Sequence, residues 1–244
     1  MRILLVNDDG FDEPGLQALE QALSCHDVFT VAPLHHHSGA GMSLNLYSPI
    51  AVENHGRNRF SVQGTPVDCV KLALTELLKN MPPDLVVSGI NPGANVANNT
   101  WYSGTVAAAT EASFWHIPAM AVSQEYTFHP DFSWSARIAR KLVDEELFRM
   151  VEPGTVLNVN VPAEPLGEYR LTRVGSFASE IPFTADIDGK TYRYGPYEIQ
   201  PVREDSGTDV HALREGHISI TPISSFRNLQ TSADDLRSWC LRQS

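Results

Sequence analysis

Short apolar runs recur along the first half of the chain with helical patterns between them, and that alternation limits the fold more than any other feature. Residues 3–6 (Ile3-Leu4-Leu5-Val6) and 28–32 (Val28-Phe29-Thr30-Val31-Ala32) read as buried strands. Between them, behind Pro14, the apolar positions Leu16, Leu19, Ala22 and Leu23 fall at helical spacing. Residues 44–64 alternate loosely around Pro49, Gly56 and Asn58 and read as extended or hairpin structure. Thr65-Pro66-Val67-Asp68 has the marks of a helix start: a threonine cap, proline at the first position and an acid in the first turn. Val67, Val70, Leu74, Leu77 and Leu78 form that helix's apolar face. Residues 84–88 predict another buried strand, 103–115 a small-residue helix, 118–122 the next strand, and 134–148 an amphipathic helix. Strands and helices alternating in this way build βαβ units, hence a mostly parallel, doubly wound, Rossmann-like α/β sheet covered on both faces.

After Pro153 the texture changes. Residues 156–161, 169–174 and 217–221 read as strands, and 231–242 as a short closing helix. Residues 175–210 carry weak periodicity and several aromatics (Phe177, Phe183, Tyr192, Tyr194, Tyr197); a stretch of this length and texture is usually a functional loop or an exchanged arm. The expected organisation is one domain over 1–244: an α/β core over 1–150 holding the active site, then a β-rich extension over 151–244.

The balance of 18 Lys and Arg against 29 Asp and Glu leaves a formal net charge of −11. Coating of nucleic acid or of an anionic membrane needs the opposite sign, so neither is expected as a main role. Three dispersed cysteines without a CxxC spacing make neither a disulfide framework nor a structural zinc site. With an acidic turn so soon after the first residues and no long apolar run, a cytoplasmic protein is expected.

In a doubly wound sheet, ligands gather beyond the carboxyl ends of the strands. The predicted ends here are Asn7-Asp8-Asp9-Gly10, then Pro33 to Gly39, then Ser88-Gly89-Ile90-Asn91, with Ser103-Gly104-Thr105 just beyond at a helix start. Adjacent aspartates at a buried strand end repel each other unless a proton or cation lies between them, and hard divalent metals suit such oxygen donors. The plainer alternative is that Asp9-Gly10 is a turn and Asp8 a helix cap. His35-His37 are three consecutive side chains that do not easily converge on one tetrahedral centre, so they read as loop residues. Cys69 on its helix face reads as packing. Ser103, Gly104 and Thr105 could hold a phosphate through free N–H groups and hydroxyls at the positive end of a helix, or Ser103 could be a plain cap.

Together these residues resemble the SurE (survival protein E) family of metal-dependent 5′/3′-nucleotidases. The resemblance rests on MRILLVNDDG, Ala32-Pro33 with Ser38-Gly39, Gly64-Thr65-Pro66 with Asp68-Cys69-Val70-Lys71, and Ser88-Gly89-Ile90-Asn91 with Gly93 and Asn95. It continues through Ser103-Gly104-Thr105-Val106 with Glu111, Asn158-Val159-Asn160-Val161-Pro162, and residues 216–222. It implies metal ligation by Asp8, Asp9, Ser38 and Asn91, with one divalent cation per subunit: magnesium or manganese, with calcium able to take the same site. It also implies hydrolysis of nucleoside 5′- and 3′-monophosphates to nucleoside and phosphate, with some activity on short polyphosphate. Dimers or tetramers would form through an exchanged arm at 175–210. The candidate roles are then Asp8, with Asn7, in catalysis, and Asn95, Ser103, Gly104 and Thr105 on the phosphate, Ser103 and Thr105 touching the phosphate alone. One departure stands out: Leu34 and His35 follow Ala-Pro where the family carries an acidic and then a basic residue.

Two other classes share parts of the pattern. A signalling receiver domain also pairs acids after its first strand, but it needs an acceptor aspartate at a later strand end, where this chain has Ser88 and Asn91. An aspartyl-phosphate phosphatase needs acids at i and i+2, and position 10 is glycine. A non-catalytic module binding metal and nucleotide fits the same residues.

Overall fold

Ile3, Leu4, Leu5 and Val6 alternate between two apolar clusters, one on each face of the sheet, so the strand that holds them can only be an interior one. The computed structural model, which describes residues 1–178, 183–186, 189–194, 200–201 and 205–225, places it near the middle of a nine-stranded sheet. The elements run β1 (Arg2–Val6), α1 (Pro14–Ala22), β2 (Asp27–Pro33), β3 (Val52–Asn54), β4 (Arg59–Val62), α2 (Pro66–Leu72), β5 (Leu85–Pro92), α3 (Asn99–Tyr102) and α4 (Gly104–Phe114). Then follow β6 (Ala119–Gln124), α5 (Ser133–Asp144), β7 (Thr155–Val161), β8 (Tyr169–Leu171), β9 (Phe177–Ala178), β10 (Phe183–Ala185), β11 (Tyr192–Tyr194), β12 (Gln200–Pro201), α6 (Asp209–Arg214) and β13 (Ile218–Ser224).

The sheet order is β3-β4-β2-β1-β5-β6-β7-β13-β8. From β4 to β7 every neighbour is parallel; β3 pairs antiparallel with β4, and β13 antiparallel with β7. This is the expected doubly wound, Rossmann-like α/β fold with a β-rich C-terminal extension. Leu16 and Leu19 of α1 and Ile138 and Leu142 of α5 cover one face; Val70 of α2 and Ala108 and Ala112 of α4 cover the other. Residues 44–64 supply the β3–β4 hairpin. α2 begins with the cap read from Thr65-Pro66-Val67-Asp68: Thr65 Oγ1 accepts from the Asp68 N–H and the Asp68 carboxylate accepts from the Thr65 N–H. It then widens into π-helical turns over Ala73–Leu77.

The fold departs from the sequence reading in detail. β5 runs on to Pro92 where a loop is expected from residue 89, the strand at 169–174 ends at Leu171, and the short helices α3 and α6 carry too few residues to show a period. Within 175–210, β10 pairs with β11 and β9 with β12 in two small separate sheets. The helix expected over 231–242 lies outside the described residues. Among the described residues, no helix is long and apolar enough to cross a membrane.

Candidate active site

β1 delivers Asn7, Asp8 and Asp9 to the carboxyl edge of the sheet, each almost sealed from solvent. The chain turns there because Gly10 takes a φ of +136°, which side-chain-bearing residues rarely adopt, and Asn7 Nδ2 closes the turn by donating to the Gly10 carbonyl at 2.7 Å. The loop after β2 lies across this end: the His37 N–H donates to the Asp8 carbonyl at 2.7 Å, with the exposed Ser38 next in the chain. His36 Nδ1 stands 3.8 Å from Asp9 Oδ1. Further along, the Gly41 N–H donates to the Tyr102 carbonyl at 3.0 Å, tying the loop to the junction of α3 and α4.

That junction faces Asp8. Ser103 caps α4, its Oγ accepting from the Val106 N–H at 3.1 Å. At Gly104 a Cβ would lie 2.7 Å from Asp8 Cβ and 2.9 Å from Asp8 Oδ2, so the absence of a side chain lets the helix start rest on the carboxylate. The sequence reading gives Thr105 to the phosphate alone, but the structure gives its hydroxyl another partner. Thr105 is wholly buried and donates to Asp8 Oδ1 at 2.5 Å, and its backbone N–H also bonds the Asp8 carboxylate. This helix start therefore already holds one anion, the Asp8 side chain.

Burial holds the Asp8 carboxyl above the usual range, with the Thr105 bonds acting against it. Asp9 is pushed up to about 8 by burial, then by the negative charges of Asp8 and Glu13. Asp9 Oδ2, Asn7 Oδ1 and Ser88 Oγ are buried without a hydrogen-bond partner among the described residues. Two adjacent buried acids with few compensating donors, beside orphaned oxygens, suit a hard divalent cation. Asn91 lies on β5, whose register with β1 (Val6 opposite Ser88) brings the two strand ends together. Its Nδ2 donates to the Gly93 carbonyl at 2.6 Å, which leaves Oδ1 as the atom able to meet a cation.

Asn95 is held elsewhere in a buried amide network. Its N–H donates to Asn160 Oδ1 at 2.7 Å, its Nδ2 to Ser123 Oγ at 2.8 Å, and its carbonyl accepts from Asn158 Nδ2 at 2.8 Å. Ser123, Asn158 and Asn160 thus position a candidate phosphate contact that sequence reasoning left without support. The available signal was the pair of amides at alternate positions in an otherwise apolar strand, which puts both on one face. Other motif residues serve the frame: Lys71 Nζ lies 2.8 Å from the buried Glu111, and Trp115 Nε1 donates to the same carboxylate, joining α2 to α4. Beside the site, a cavity of about 490 Å³ is lined by His35, His37, Leu44, Asn45, Gln63 and Thr65.

The sheet and its carboxyl edge define a Rossmann-like α/β protein whose centre is an acidic set of oxygen donors facing a helix start. By its matches, the chain belongs to the SurE family: the family model described as Survival protein SurE matches residues 3–180. It is 42% identical to the 5′-nucleotidase SurE of Alkalilimnicola ehrlichii, with 98% of this chain and 95% of that one covered. It is 43% identical to the 5′-nucleotidase SurE of Vibrio campbellii, covering 98% and 94%. The crystal structure of the SurE protein from Aquifex aeolicus matches over 100% of both chains with a TM-score of 0.85 at 32% identity.

Proposed function

We propose that this chain is a metal-dependent phosphomonoesterase that hydrolyses nucleoside 5′- and 3′-monophosphates to nucleoside and phosphate, with some activity on short polyphosphate. The observation that carries the reading is the sealed Asp8–Asp9 pair with an orphaned Asp9 oxygen, set against the start of α4. The 5′-nucleotidase names of relatives at 42% and 43% identity support it. Asp8, Asp9, Ser38 and Asn91 would hold one divalent cation, magnesium or manganese, with calcium accepted by the same oxygens. Such a cation lowers the pKa of a bound water and offsets charge on the phosphoryl group.

The protein's own groups divide the remaining work. Asp8, whose proton affinity is raised, takes the proton of the attacking water, and the unpartnered Asn7 Oδ1 offers that water an acceptor. Ser103 keeps a hydroxyl proton to donate to the phosphate, Gly104 allows its close approach, and Asn95 has a second amide N–H beyond the one given to Ser123. Thr105 positions Asp8. The leaving nucleoside occupies the cavity beside His35 and His37, where Asn45 and Gln63 offer amides to a base; His35 stands there in place of the family's basic residue. The chain would work as a homodimer or homotetramer. A cytoplasmic location fits Cys25 and Cys69, which are free thiols.

A panel of nucleoside monophosphates, assayed after chelation and metal add-back, tests the reading. Activity vanishes on chelation and returns with manganese or magnesium. Reactivation by zinc alone, lost on replacing His35, His36 and His37, overturns the ligand assignment. Nucleotide binding without turnover in any metal makes the chain a binding module.

A further inference from the structure

The opposite edge of the sheet holds a second cluster of ligand-bearing side chains. Cys25 and His26 form the turn between α1 and β2, and Asp144 is the last residue of α5, so the three meet at the amino ends of the strands. The thiol sulfur, an imidazole nitrogen and a carboxylate oxygen all lie within 4.8 Å of one another. His26 Nε2 is 3.2 Å from Asp144 Oδ1. Ligand atoms held tetrahedrally about 2.0–2.3 Å from a zinc ion stand roughly 3.3–3.6 Å apart, so the imidazole and carboxylate already have the right separation.

The surroundings hold this geometry. The His26 N–H donates to the Leu23 carbonyl at 2.9 Å, fixing the turn to the end of α1. Arg140 donates from Nε to Asp144 Oδ2 at 2.5 Å and from Nη1 to the Ala22 carbonyl at 2.7 Å. The guanidinium thus orients the carboxylate from behind, as outer partners of metal ligands do, and keeps it ionised. Sulfur, nitrogen and one oxygen make a softer donor set than the all-oxygen centre at the other edge, and three ligands leave a fourth position open to water. We propose that Cys25, His26 and Asp144 form a second metal site, selective for zinc over magnesium and manganese, that clamps the α1–β2 turn to the end of α5. The ordinary alternative is an ion-pair network of His26, Asp144 and Arg140 with Cys25 a bystander.

Cobalt(II) separates the two, because a thiolate ligand gives it a strong near-ultraviolet charge-transfer absorption and the carboxyl-edge site contains no sulfur. Chelated full-length protein titrated with cobalt is expected to develop that band, at an intensity matching one thiolate-bound cobalt per chain, and to lose it when zinc is added. Cys25→Ser abolishes the band, and His26→Gln or Asp144→Asn weakens cobalt affinity at least tenfold. Asp9→Asn and Cys240→Ser leave the band intact, and Cys25→Ser leaves manganese-supported turnover unchanged. Bound zinc also slows alkylation of Cys25, read by mapping the modified peptide. A cobalt complex without the band, a band surviving Cys25→Ser, or equal alkylation with and without zinc overturns the proposal.

Discussion

Asp9 carries the most exposed consequence of the proposed centre, because its proton affinity and its cation affinity compete at the same oxygens. With its folded-state pKa raised from 3.8 to about 8, the folded, cation-free protein binds a proton that the unfolded chain has already released across that window. The stability this proton supports is complete below pH 3.8 and is lost as pH rises through about 8. Thermal melts in chelator are therefore expected to fall in midpoint between pH 5 and 8, Asp9→Asn to flatten that fall, and added manganese to restore stability most at the alkaline end. An unchanged slope in Asp9→Asn removes Asp9 from this role. Ser103 and Thr105 differ in the same terms. Ser103→Ala is expected to lower kcat about 10²-fold, the scale of a lost transition-state donor, with metal affinity nearly unchanged. Thr105→Val takes a hydrogen bond from Asp8 and is expected to weaken cation binding as well, as calorimetry would show. Wild-type kcat and KM in both variants would leave Ser103 a cap and nothing more. The acidic pair was readable from sequence because its chemistry is local: two like charges side by side at a buried strand end. The bond from Thr105 to Asp8 was not readable, because it spans 97 residues.

At the level of elements, close backbone approach does what side chains do elsewhere. A Cβ on Gly15 would lie 2.0 Å from the Ile90 carbonyl oxygen, so α1 sits against β5 at a distance only glycine allows. Gly15→Ala is expected to destabilise the protein by about 1–3 kcal/mol in urea unfolding and to lower turnover by shifting the end of β5 that bears Asn91. An unaltered midpoint would contradict this packing. Gly104→Ala acts at the other helix and is expected to cost more in kcat than in stability, since the intruding atom meets Asp8. Helices with a cap and a full apolar face, such as α2, were legible, as was the β3–β4 hairpin with Gly56 and Asn58 at its turn. The continuation of β5 was hidden because Asn91-Pro92 reads as a breaker, while parallel pairing with Ser123 and Gln124 of β6 holds it extended. α6 was hidden by its six residues, though Thr208 caps it by accepting from the His211 N–H.

Across the whole molecule, the parallel core followed directly from the strand–helix alternation, whereas the C-terminal topology depends on pairings distant in sequence. Phe183 stacks on Tyr194 with ring centroids 4.5 Å apart, yet both are exposed, together with Tyr192, so among the described residues this hairpin has no apolar cover. The segment leaves and rejoins at one place, where the Arg173 N–H donates to the Gly207 carbonyl and the Asp209 N–H to the Arg173 carbonyl, both at 3.0 Å. Residues 179–204 can therefore be replaced by a short Gly/Ser linker with Gly175 and Asp209 kept. Light scattering is expected to show a smaller assembly; an unchanged mass would make the segment a substrate lid instead. β13, meanwhile, is an interior strand, with β7 on one side and β8 on the other. A ribosome reaches that strand only after the 217 residues before it, and until then β7 presents an open edge and β8 has no neighbour among the described strands of the sheet. Release of a nascent chain broken off before residue 218 would thus leave an adhesive, unfinished sheet, and β13 acts as the keystone that closes it.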